Sequence, residues 1–252
     1  MQENPNSIQV IERLSKILDV IASRKDSVSL KILSAETGLH PSTAFRILSS
    51  LAEFGFVERT SRGNYQLGVK LLQLGSRVNA SVDIRKIALP LMEKLRDQLG
   101  ETVNLTVREG DEVVYIERSV AQRMIKVEQV IGSRAPLHVT AVGKMMLGEL
   151  GEAECRNYAK RSKLPAYTVN TFTKVTPLLE ESIAALERGY SLDNEEAELG
   201  VGCIGTLIRD ANNHVIAGLS VSAPIERRKD EWISQVMETG LQISKLLGYH
   251  AA

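Results

Sequence analysis

Residues 29–67 read SLKILSAETGLHPSTAFRILSSLAEFGFVERTSRGNYQL, and the order of the parts in this stretch decides how the chain begins to fold. Ser29 is placed to cap a short helix in which Leu30 and Leu33 share a face. Gly38 supplies the backbone freedom of a tight turn between helices. Pro41 opens a second helix, where its missing N–H costs nothing. Ala44, Ile47, Leu48 and Leu51 give that helix an apolar stripe at i, i+3, i+4 and i+7, and Gly55 ends it. Phe56–Arg59 and Tyr65–Leu67 then alternate as short strands about the turn residues Thr60–Asn64. Upstream, Ile11, Leu14, Leu18 and Ile21 supply the stripe of a third helix. Helix, turn, helix and wing in this order predict a winged helix–turn–helix, whose second helix enters the DNA major groove.

The face of that helix opposite its stripe carries Ser42, Arg46 and Ser49, flanked by Phe45 and Ser50, with Thr43 nearer the buried edge. These side chains suit a groove. Arginine can donate twice to guanine, hydroxyls serve bases or phosphates, and an apolar ring can touch a thymine methyl. The helix N-terminus favours phosphate. Arg59 and Arg62 fall on the hairpin, where a wing meets the DNA backbone or minor groove. A merely solvated helical face would also be rich in serine, so the weight lies on the order of the elements.

At 252 residues the chain is too long for a winged helix alone and suits two domains. Residues 1–75 hold nine Lys/Arg against seven Asp/Glu, and the remainder 22 against 24, so charge neither favours nor excludes nucleic acid. The first ten residues lack the pattern of a signal peptide, and no apolar run approaches a membrane span. Two cysteines, Cys155 and Cys203, make no disulfide framework and no zinc spacing. A cytoplasmic protein with reduced thiols, no cofactor, no metal and no membrane partner is expected.

From Gly68 the chain reads as a linker helix with Leu71, Leu72 and Leu74 apolar, either a dimer contact or a face packed back on its own wing. Asp83 opens a longer helix running to Gly100, with Pro90 a possible kink. Strand pairs follow around Glu109-Gly110-Asp111, and Met124 to Val130 is another strand candidate. Helices are expected near 141–161 and 177–188, then strands at Tyr190–Asp193, Val201–Arg209 and His214–Ser222, and a last helix from Asp230 to Leu247. The expectation is an α+β chain with a winged helix–turn–helix over 1–67, a linker over 68–80, and an effector-binding and oligomerisation domain over 81–252 built on one antiparallel sheet.

The runs GLHPSTAFRILSSLAEFGFVER (38–59), YQLG (65–68), SRAPLHVTAVGK (133–144) and DNEEAELGVGCI (193–204) resemble the IclR family of bacterial transcriptional regulators, nearly end to end. The resemblance implies a GAF/PAS-like C-terminal domain, operator binding as a homodimer or dimer of dimers on double-stranded DNA, and control by a small-molecule effector, often an organic or aromatic acid. It places effector contacts at Ala141, Val142 and Gly143, whose helix N-terminus suits a carboxylate, at Asp193, Cys203, Ser220 and Ser222, and at the apolar walls Met124, Val127 and Ala135. Ser220 and Ser222 are two apart and so point to one face. The family commonly continues after Cys203-Ile204 with an Ala-Val-Pro-Val-like run; here Gly205-Thr206-Leu207-Ile208 stands instead.

Two rival readings have less behind them. Cys203 as a catalytic nucleophile needs a base such as His138 or His214 beside it, which nothing in the sequence supplies. A metal sensor using Cys155, Cys203 and scattered histidines matches no usual ligand spacing.

Overall fold

The computed structural model describes residues 8–24, 26–79 and 83–250. Its contacts divide the chain into two units, Met1–Val82 and Asp83–Ala252, so the linker helix clusters with the first.

The first unit holds α1 (Gln9–Ala22), α2 (Leu30–Thr37), α3 (Pro41–Glu53), β1 (Val57–Arg59), β2 (Tyr65–Leu67) and α4 (Val69–Asn79). The Ser29 side chain accepts from the Ile32 N–H, and Gly38 adopts φ 68°, the left-handed conformation that the turn requires. Ala44, Leu48 and Leu51 of α3 are buried against Leu33, Val57 and Tyr65, with Ile47 at the rim. β1 and β2 pair antiparallel as the wing, and Val28 bridges to Tyr65 beside them. The α1 stripe departs from expectation. Ile17 and Ile21 are its buried residues, while Ile11 is 58% exposed. An eight-residue α2 spans about 12 Å against about 21 Å for the fourteen-residue α1, so the first turns of α1 overhang the core. In α4, Leu72 and Leu74 are exposed, so this face is not packed on its own wing.

The second unit is a six-stranded antiparallel sheet in the order β5-β4-β3-β8-β7-β6. The strands are β3 (Thr102–Glu109), β4 (Glu112–Ser119), β5 (Arg134–Pro136), β6 (Ser191–Asn194), β7 (Val201–Arg209) and β8 (Val215–Pro224). The helices are α5 (Ile84–Leu99), α6 (Ala141–Leu150), α7 (Glu152–Ser162), α8 (Val175–Arg188) and α9 (Trp232–Leu246). One sheet face, with Val103, Leu105, Ile204, Ile208, Leu219 and Val221, packs on Ala88, Met92 and Leu95 of α5 and on Val236 and Ile243 of α9. The other face meets α6, with α7 and α8 behind it. Helix α5 runs unbroken through Pro90, because burial of Ala88, Met92 and Leu95 along the sheet outweighs one lost backbone bond.

Residues 124–130 form no strand, contrary to expectation. Met124, Ile125 and Val130 are exposed, and arginines rather than a neighbouring strand bond the backbone carbonyls: Arg227 donates to Ile125 O at 2.9 Å and Arg118 to Gln129 O. Among the described residues no helix is long and apolar enough to cross a membrane.

Candidate functional site

The α3 face follows its periodicity. Ser42, Phe45, Arg46, Ser49 and Ser50 are exposed and Thr43 is half-buried. His40, not singled out from the sequence, caps the helix: its Nδ1 accepts from the Ser42 N–H at 3.4 Å and lies 2.8 Å from the Ser42 hydroxyl. The Ser42 side chain is therefore held at the end expected to enter the groove. Phe45 also lines an apolar groove shared with Val10 and Leu14 of α1 and with Phe54. On the wing, Arg59 lies over the Tyr65 ring, 5.8 Å from its centroid, whereas Arg62 extends from the hairpin tip with no ion pair among the described residues.

The second candidate site is a polar sheet face. Register places Asp193, Cys203, Ser222 and Thr102 in one cross-strand row, and Ser191, Gly205, Ser220 and Asn104 in the next. Paired residues point to the same side of a sheet, so the four sequence-expected polar residues share one face. Asn104 donates to Ser222 Oγ at 3.1 Å, and Ser222 Oγ lies 3.2 Å from Cys203 Sγ. Asp193 Oδ1 accepts the Glu196 N–H at 2.8 Å. Burial raises the Asp193 carboxyl above the usual range, and that N–H with the Lys144 charge partly offsets the rise.

Helix α6 lies across this face. Val142 seats over two glycines: a Cβ on Gly205 would stand 2.8 Å from Val142 Cγ1, and one on Gly218 2.7 Å from the same atom. The glycine at 205 thus makes room for the helix N-terminus. The side chain of Thr140 caps α6 by accepting from Gly143 N at 3.1 Å, and Lys144 N bonds Thr140 O at 3.0 Å. The Ala141 and Val142 N–H groups find no acceptor among the described residues, so they, rather than that of Gly143, are open to an anion. Ala135 packs into the apolar cluster under α6. Met124 is fully exposed and does not join this face, because its loop stands off the sheet; Val127 is half-buried in the same loop.

Behind the face lies a feature that sequence reading missed. Lys144, 1% exposed, places Nζ 2.6 and 2.5 Å from the two oxygens of Glu196, itself 3% exposed. The ammonium also sits 5.1 Å from the Phe172 ring centroid and 4.0 Å from Glu181. Burial pushes the Glu196 carboxyl up, and Lys144 pulls it part of the way back. Tyr115, also missed, shares the polar face through its pairing with Thr106. Its alternation within β4 was the available signal.

Two family descriptions match the chain: the IclR helix-turn-helix domain over residues 10–61 and the bacterial transcriptional regulator IclR C-terminal domain over residues 76–245. The chain belongs to the IclR family. Among its IclR-family relatives, the HTH-type transcriptional regulator XynR of Escherichia coli is 34% identical, over 97% of this chain and 99% of that protein. The structure of the Agobacterium tumefaciens repressor BlcR is similar with a TM-score of 0.81 and 29% identity, covering 98% of this chain and 100% of that one. An IclR homologue from Microbacterium hydrocarbonoxydans, crystallised with 4-hydroxybenzoate, shares the fold with a TM-score of 0.62 and 24% identity over 96% and 98% of the two chains.

An IclR-family protein is a DNA-binding transcriptional regulator and not an enzyme. The rival nucleophile fits that. Burial, then the Asp193 charge, pushes the Cys203 thiol far above its ordinary value, and no histidine contacts it. His138 is buried and satisfied: Nδ1 lies 2.7 Å from the Tyr158 hydroxyl and Nε2 3.1 Å from Pro165 O. Cys155 is buried and its thiol is raised by burial as well. Iodoacetamide at pH 8 is therefore expected to label both thiols of the folded chain more slowly than free cysteine, read by mass spectrometry; rapid, selective labelling of Cys203 would revive the nucleophile. No group of three or more His, Cys, Asp or Glu is placed to hold a metal among the described residues.

Proposed function

We propose that this regulator's affinity for its double-stranded DNA operator is set by a small organic or aromatic acid bound between the α6 N-terminus and the polar sheet face. The observation that carries the reading is the pair of unbonded N–H groups at Ala141 and Val142, buried opposite Ser220, Ser222, Cys203 and Asp193. Two peptide N–H groups and the helix dipole suit a carboxylate, and the sheet hydroxyls suit the rest of a polar ligand. The aromatic acid found with the Microbacterium hydrocarbonoxydans protein supports the ligand class. The reading includes a cytoplasmic homodimer or dimer of dimers, in which the exposed Leu72 and Leu74 of α4 form a subunit contact. Residues 1–67 then read DNA through α3 and the wing, 68–80 link, and 81–252 bind effector. Two α3 helices on one face of DNA require half-sites about 34 Å apart or a multiple of it. Control follows by linkage, as an acid that prefers one subunit arrangement changes operator affinity by its differential binding.

The test is a gel shift on DNA upstream of the protein's own gene, titrated with organic and aromatic acids. A salt-sensitive, sequence-selective complex whose affinity an acid changes, with the acid effect lost in Ser220→Ala or Ser222→Ala, is the expected result. Operator affinity indifferent to every acid, in a chain that binds DNA, would remove the effector reading and leave the DNA-binding one.

A further inference from the structure

The polar face contains a hydrogen-bonding direction that constrains the ligand beyond its carboxylate. At one end stands Asp193, a carboxylate held as an acceptor by the Glu196 N–H. Cys203 faces it across the β6–β7 pair. A thiol that donates to Asp193 leaves its sulfur to accept from the Ser222 hydroxyl 3.2 Å away. The Ser222 oxygen then accepts from Asn104 Nδ2 at 3.1 Å. Each link fixes the next, and the Asn104 carboxamide is oriented at the far end with its Oδ1 outward.

That Oδ1 is buried and has no partner, in a residue 0% exposed. Neither of its cross-strand neighbours bonds it. Arg118, paired with Asn104 on β4, donates to Gln129 O and pairs with Glu128. Ser220, paired with it on β8 and on the same face, makes no side-chain hydrogen bond among the described residues. A second orphan, the Ser191 hydroxyl, lies in the same cross-strand row. Buried acceptors left empty are rare in folded proteins, and each calls for a partner such as water or a ligand.

Position sets the rest. The open Val142 N lies 3.1 Å from where a Cβ on Gly205 would stand, which puts the proposed carboxylate seat beyond the α6 N-terminus at the β7 end of this row rather than between Val142 and Gly205. Asn104 is in the same row on β3, two strand spacings or about 9.5 Å away at the backbone. From this geometry we infer that Asn104 is a specificity-determining contact, and that the effector is an acid bearing a hydrogen-bond donor, a hydroxyl or N–H, at the end remote from its carboxylate. An α-hydroxy acid, whose hydroxyl adjoins the carboxylate, does not reach. This inference rests on the carboxylate seat proposed above.

The experiment compares acids matched in size that differ in one distal group, titrated calorimetrically into the full-length protein. The pairs are 4-hydroxybenzoate with 4-fluorobenzoate, and 6-hydroxyhexanoate with heptanoate. The expected result is that the donor-bearing member of at least one pair binds about tenfold tighter, and that Asn104→Leu narrows this ratio to within twofold while the donor-free acid keeps its affinity. The wild-type comparison alone is decisive should the variant not fold. If the acids bind and the members of each pair bind alike, the carboxylate seat stands, Asn104 is served by water, and this inference is overturned. If none binds, the seat and the inference fall together.

Discussion

Replacing Lys144 by methionine is expected to destabilise the C-terminal unit by about 3–5 kcal/mol near pH 8, the loss typical of removing one member of a buried ion pair. The whole effect comes from what is left behind. Both Glu196 oxygens bond Lys144 Nζ, and neither residue has meaningful access to water. Without the ammonium, Glu196 faces Asp193 in a dry site and must ionise there or bind a proton. The pH dependence has a definite sign. A carboxyl whose folded-state pKa is raised by burial contributes stability present at low pH that is lost as pH rises through the raised value. The deficit of Lys144→Met should therefore be smaller at pH 5 than at pH 8. Lys144→Met with Glu196→Leu should recover most of the loss, since an apolar pair of similar volume replaces an ion pair at little net cost. Chemical denaturation of the full chain reads both variants against the wild type. A double variant no more stable than the single one would mean that the two charges are not coupled.

Arg46→Ala is expected to relax operator recognition at one base position by about 1–3 kcal/mol, while binding to sites already altered there changes little. Arg46 is exposed on α3, on the same side as Ser42 and Ser49, and makes no ion pair among the described residues. Arg62→Ala should instead weaken binding to all operator variants alike and lower the salt slope by about one, as loss of a phosphate contact does. Arg59, folded over Tyr65, should matter less than Arg62. Binding measured across single-base operator variants and salt concentrations separates these roles; an equal loss on every variant for Arg46→Ala would reject the base-reading assignment.

Local rules carried the sequence reading where they govern structure. The α3 stripe needed only helical periodicity, and its exposed face followed. Capping by Ser29 and the turn at Gly38 needed only local chemistry. Leu14, Leu18 and Ile21 of the α1 stripe pack as expected, while Ile11 lies outside the core because coverage by a shorter partner is a tertiary fact, invisible in the helix's own period. The run from Met124 to Val130 is rich enough in apolar residues to be a strand candidate, yet arginines take the carbonyls of Ile125 and Gln129. At the polar face, alternation within one strand made it legible that Ser220 and Ser222 share a side, while their choice came from the family resemblance. Asn104 was not, because its partner Ser222 is 118 residues away and only the β3–β8 pairing joins them. Lys144 and Glu196 are 52 residues apart, and each reads in sequence as an ordinary surface charge.

The two faces of the C-terminal sheet are unlike, and the difference is mechanical. One is backed along β3, β7 and β8 by the closely packed side chains of α5 and α9, an arrangement with little compressibility. The sheet therefore behaves as an anvil. A ligand wedged against its opposite side has nothing soft behind it, and the displacement falls on α6. Any such movement is passed on at Gly148, where a Cβ would stand 2.4 Å from Ser182 O of α8. With the two backbones in such close approach, α6 and α8 would shift together, so the proposed ligand would act on two helices through the end of one.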